Sequence, residues 1–158
     1  MHMNGGALLV TGKPFGFSQW DVLRDPEHPT KISAMAESIN TFTDPSTPWL
    51  PDYYGSGAIL SMGRYVITSG QAGASVIDVV NAERPREVRR YPAMPPNTGS
   101  NVAVPTFPED PRFQYTAMAK HPTLPIVYGF RKQDKVYRLA MNGPDLALQT
   151  MQDYITGG

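Results

Sequence analysis

Tyr65-Val66-Ile67-Thr68-Ser69-Gly70, a short turn, Ser75-Val76-Ile77-Asp78-Val79-Val80, then Asn81-Ala82-Glu83-Arg84-Pro85 and Arg86-Glu87-Val88-Arg89-Arg90-Tyr91: this stretch decides the fold. Two β-branched runs flank a glycine-containing turn, and a proline-marked turn leads into an alternating strand. β-branched and aromatic side chains suit a pleated strand, while Gly, Asn, Asp and Pro supply the dihedral angles that turns require.

The unit recurs on both sides. Leu8-Leu9-Val10-Thr11-Gly12 leads to Ser18-Gln19-Trp20-Asp21-Val22-Leu23, and Asp25-Pro26-Glu27-His28-Pro29 to Thr30-Lys31-Ile32-Ser33-Ala34-Met35. A third copy runs from Ile126-Val127-Tyr128-Gly129-Phe130 through Lys135-Val136-Tyr137-Arg138-Leu139 and Asn142-Gly143-Pro144 to Leu146-Ala147-Leu148-Gln149. Aligning Trp20, Ile77 and Tyr137 gives a period of roughly 57 to 60 residues, longer than the ~40–50 usual for propeller repeats. Trp20, Asp21, Ile77, Asp78 and Tyr137 are therefore read as structural repeat positions.

Gly57-Ala58-Ile59-Leu60-Ser61-Met62-Gly63 and Phe113-Gln114-Tyr115-Thr116-Ala117-Met118-Ala119 precede the second and third copies and read as a fourth strand each. Four antiparallel strands per unit is the blade of a β-propeller. The expectation is all-β: one partial or split domain over 1–158, with blades at about 7–37, 57–91 and 113–152 and connectors at 38–56 and 92–112. The first blade is expected to lack its innermost strand, because Met1-His2-Met3-Asn4-Gly5-Gly6 reads as a tag or frayed end. Asp153-Tyr154-Ile155-Thr156 reads as the start of a spare inner strand, so the ends look matched for strand exchange. Ala34-Met35-Ala36-Glu37-Ser38 would suit a short helix or a strand end equally, and the prolines exclude longer helical architectures.

Val76-Ile77-Asp78-Val79-Val80-Asn81, followed by Pro85 and an outer strand, resembles the LVIVD-repeat β-propellers. Trp20-Asp21-Val22-Leu23-Arg24-Asp25-Pro26-Glu27-His28-Pro29 is a second copy, whereas the third has Arg138 where the Asp should stand. The resemblance implies a propeller fold and an exported or cell-surface setting, and brings no reaction and no catalytic residues with it.

Composition narrows the function classes. Fourteen basic residues balance fourteen acidic ones in 158, so no electrostatic footprint for nucleic acid is present. Sixteen prolines and fourteen glycines fit short strands and long connectors. Without cysteine there are no disulfides, thiol nucleophiles or Cys-based zinc sites. No apolar run is long enough to span a membrane, and no secretory signal is legible at the start.

The candidate chemistry is sparse. His2, His28 and His121 sit at unrelated positions, so no metal site is expected. Asp21 and Asp78 recur at equivalent strand ends, where a carboxylate accepts hydrogen bonds from the following turn. Ser18, Ser61, Ser69 and Ser75 have no Gly-x-Ser-x-Gly context, and Gly70-Gln71-Ala72-Gly73 joins strands where a phosphate loop would open a helix. No catalytic residue and no cofactor are implied. The best binding candidate is Pro48-Trp49-Leu50-Pro51-Asp52-Tyr53-Tyr54, where Trp49, Asp52, Tyr53 and Tyr54 crowd a proline-rich connector, aromatics with polar tips being favoured at recognition surfaces.

A closed propeller needs at least about four blades. The expected function is thus a non-catalytic binding or scaffold module whose ring is completed by another copy or a companion chain. The alternative is a piece of a propeller hydrolase or oxidoreductase with its catalytic residues elsewhere.

Overall fold

The computed structural model describes residues 2–12, 16–34, 58–70, 73–91, 111–131 and 135–153. These residues form three four-stranded antiparallel sheets. The first comprises β1 (His2–Asn4), β2 (Ala7–Gly12), β3 (Gly16–Asp21) and β4 (Thr30–Ala34). The second comprises β5 (Ala58–Met62), β6 (Tyr65–Ser69), β7 (Ala74–Asp78) and β8 (Arg86–Tyr91). The third comprises β9 (Ala117–Lys120), β10 (Ile126–Arg131), β11 (Lys135–Asn142) and β12 (Asp145–Asp153). Within each sheet the strands lie in chain order, the meander of a blade-like unit.

Three expectations are corrected. The first sheet is not short of a strand: His2–Asn4 pairs with Ala7–Leu9. The turn between them carries Gly5 at φ 58°, and its counterpart in the second sheet carries Gly63 at φ 65°. A left-handed residue there lets a two-residue turn match the twist of the flanking strands. In the third sheet the first strand begins at Ala117, four residues later than Phe113. Pro111–Phe113 is instead a 3₁₀ turn, and the amide of Tyr115 is drawn away to Ser69 of the second sheet. Asp153 does not open a new strand either. It ends β12, paired with Lys135, and residues 154–156 lie outside the described residues, as do 35–38.

The outermost strand of every sheet is bulged at one place. Partners of β3 step from Ser33 to Lys31 between Gln19 and Trp20. Those of β7 step from Arg89 to Glu87 between Val76 and Ile77, and those of β11 from Thr150 to Leu148 between Arg138 and Leu139. Ile32, Val88 and Gln149 are thus the extra residues, and a bulge of this kind twists an exposed edge away from further pairing. The bulge also fixes the repeat alignment: Trp20 and Ile77 correspond to Leu139, two residues beyond Tyr137. The position equivalent to Asp21 and Asp78 is Ala140, so Arg138 does not replace the repeated aspartate.

The second sheet lies between the other two. Leu60, Ile67 and Val76 pack with Val127, Tyr137, Leu139 and Met141 of the third. Ile59, Val66, Ile77 and Val79 pack with Leu9 and Phe17 of the first. Successive side chains of a strand point to opposite faces, so the continuous apolar run Val76-Ile77 feeds both interfaces. Every residue of β7 is buried, while β8 at the outer edge is exposed or half-buried. Burying a side chain such as Ile67 or Val76, both 0% exposed, contributes about 1.5–3 kcal/mol. The first strands gather at one edge, β1 against β5 and β5 against β9.

Candidate functional site at the ends of the sheet stack

Repeat-equivalent side chains point the same way in every sheet. Ile77 faces the first sheet and Leu139 faces the second, so this position looks back toward the preceding sheet. Val76, the residue before Ile77, looks forward to the third sheet. Gln19, its equivalent, looks forward to the second. The stack is therefore directional, each sheet presenting its forward face to the backward face of the next.

Polar contacts reinforce this order at the outer edge. Gln19 is 2% exposed. Its Nε2 donates to Ser33 Oγ at 3.0 Å and to the Ala82 carbonyl at 2.9 Å, and Ser33 Oγ donates to the same carbonyl at 2.6 Å. Ala82 belongs to the turn between the third and fourth strands of the next sheet. Arg89, equivalent to Ser33, does the same one sheet further on: its Nε donates to Asp145 Oδ1 at 2.6 Å, where β12 leaves its turn. This contact holds the Arg89 guanidinium above its ordinary pKa, through the hydrogen bond first and the charge second. Beside it the Tyr91 hydroxyl accepts from the Leu146 amide at 2.8 Å, with the Tyr91 and Phe113 rings stacked at 4.7 Å.

Asp21 and Asp78 each receive the chain at the end of a third strand. Asp21 Oδ1 accepts from the amides of Leu23 at 3.0 Å and Arg24 at 3.3 Å, and Asp78 Oδ1 accepts from Val80 at 3.0 Å. The two differ in their cation. Arg64 Nε lies 3.1 and 3.0 Å from the two Asp78 oxygens, with Nη2 at 2.6 Å. That fork holds the buried Asp78 carboxyl below the usual carboxylate range, the Arg64 hydrogen bonds outweighing the upward push of burial. Gly6 occupies the place of Arg64 in the first sheet, and a shallow depression lined by Gly6, Asp21, Leu23, Arg24 and Ile32 lies there instead.

The two end faces of the stack have no neighbouring sheet among the described residues. At one end Trp20 points away from the second sheet, with its register partner Leu8 and then Met3 alongside. Trp20 and Leu8 are half-buried and Met3 is 47% exposed. The Trp20 indole is fixed by a hydrogen bond from Nε1 to Ser18 Oγ at 2.9 Å. At the other end Tyr128, Phe130, Val136, Arg138 and Ala140 occupy the forward face of the third sheet, all half-buried. Local sequence reading did not mark these faces, because each of these strands looks like an ordinary amphipathic one.

Trp49, Asp52, Tyr53 and Tyr54 lie outside the described residues. Tyr137 is buried against Tyr115, ring centroids 5.6 Å apart. His28 bonds Asp25 within its own turn at 3.0 Å, and His121 Nδ1 accepts from the Thr123 and Leu124 amides. Among the described residues no group of three or more His, Asp or Glu side chains is placed to hold a metal ion. No helix among them is long and apolar enough to cross a membrane. The fold and these contacts define a directional stack of blade-like sheets. No family model, no curated protein and no solved structure matches the chain.

Proposed function

We propose that the chain is a non-catalytic scaffold or binding module built from β-propeller blades of the LVIVD-repeat kind, its ring completed by further blades from another copy or a companion chain. The observation that carries this reading is the directional stack. Among the described residues its end faces are a backward face at Leu8 and Trp20 and a forward face where Tyr128 and Phe130 flank Arg138. The same two kinds of face are sealed against each other twice inside the chain. Repeat architectures bury each unit's apolar face only against a neighbour, so end faces of this composition call for one. The interfaces themselves consist of packing residues and turn clamps, which supports a structural role. The aromatic connector around Trp49 supplies the recognition surface in this reading.

Leu8→Glu tests it. The substitution puts a charge on the end face and leaves both internal interfaces alone. Its expected effect is to reduce the native particle to a single folded chain. A particle of unchanged mass would overturn the proposal.

A further inference from the structure

This inference rests on the scaffold reading above.

At both internal interfaces, polar side chains on the forward face of one sheet hold the turn between the third and fourth strands of the next. Gln19 and Ser33 hold Ala82, and Arg89 holds Asp145. On the forward face of the third sheet the equivalents of Gln19 and Ser33 are Arg138 and Thr150, paired with each other across β11 and β12. The turn they would meet on a first-type sheet is the counterpart of the one carrying Ala82. Asn81 Oδ1 accepts from the Glu83 amide at 3.1 Å, and Asp25 Oδ1 accepts from the Glu27 amide at 3.1 Å. This shared contact sets Pro26 in the place of Ala82, although the first turn is one residue longer between its strands.

The chemistry is complementary. Gln19 is neutral and holds a turn through its carbonyl, whereas its equivalent here is Arg138, whose Nη1 donates to Gln149 Oε1 on the neighbouring strand. The waiting turn carries Asp25, held by His28 and by the turn's own amides, and the exposed carboxylate of Glu27. A guanidinium presents five donors in a fixed fork suited to a carbonyl flanked by carboxylates. The flanking surfaces are apolar on both sides, with Tyr128, Phe130, Val136 and Ala140 on one and Met3, Leu8, Val10 and Trp20 on the other. The acidic turn and the arginine stand at opposite ends of the described stack. We propose that a second copy of this chain completes the ring. Arg138 of each copy holds the Asp25-Pro26-Glu27 turn of the other, giving two identical closing interfaces and six blades.

Two charge-reversed variants test this without disturbing either internal interface. Arg138→Glu and Glu27→Arg each set like charges face to face at both closing contacts. Each variant should weaken self-association on the order of a hundredfold and run as a single folded chain in light scattering. Mixed in equal amounts they should recover the two-chain mass, because a mixed pair has one reversed contact and one original contact, both attractive. Recovery should weaken with added salt. A two-chain particle unaffected by Arg138→Glu, or a mixture of folded variants that stays monomeric, would overturn the inference. Should either variant fail to fold by circular dichroism, Thr150→Arg serves as the second probe, expected to tighten pairing with the acidic turn. A purified wild-type chain that stays single while the native particle is heavier would remove the second copy and leave the scaffold reading standing with a companion chain. A single chain in both would remove both.

Discussion

The Ser69 hydroxyl accepts a hydrogen bond from the Tyr115 amide at 2.7 Å and donates one to the Phe113 carbonyl, also at 2.7 Å. Ser69 is 0% exposed, so this one side chain satisfies two backbone groups at the junction of the second and third sheets. Ser69→Ala would leave both without their partner. The expected loss is about 2 kcal/mol of unfolding free energy, since an orphaned buried polar group costs about 1–3 kcal/mol. Urea denaturation monitored by tyrosine fluorescence measures it, and an unchanged midpoint would show that the contact is dispensable.

Gly129 lies under the ring of Tyr115. A Cβ built there would come within 2.5 Å of two ring carbons, closer than any real contact. Gly129→Ala should therefore destabilise by about 1–3 kcal/mol through overpacking. In a Tyr115→Ala background the obstacle is gone, and the same substitution should cost close to nothing. A double-mutant cycle that came out additive would contradict this arrangement.

Acid sensitivity should trace to Asp78. Its carboxyl titrates below the usual carboxylate range because Arg64 hydrogen-bonds the ionised form. The stability it contributes is complete above about pH 4, the ordinary value for an aspartate, and is lost as pH falls through the lower folded value. Asp78→Asn should lower the melting temperature by on the order of 5 °C at neutral pH, with the gap to wild type closing in strong acid. A gap that stays constant down to pH 2 would assign the effect to packing.

The repeat, the hairpins and the all-β class were legible because a period of two, punctuated by Gly and Pro, is a local signal. The strand His2–Asn4 escaped notice for lack of β-branched residues, although Asn4-Gly5 is a hairpin cue. Alignment of the third copy at Tyr137 fails for a different reason. A slip of two residues keeps every side chain on its proper face, so alternation cannot detect it; only the bulge between Arg138 and Leu139 does. The clamp from Gln19 through Ser33 to Ala82 spans more than sixty positions along the chain. Neither partner carries a motif, so nothing local announces such a contact.

The most direct measurement is the native mass of the wild-type particle from its own source, by light scattering at micromolar concentration. If the end faces at Leu8 and Phe130 are interfaces, the particle contains more than one chain, and two copies if Arg138 meets the Asp25 turn. A folded particle of one chain, with both end faces open to solvent, would contradict the account.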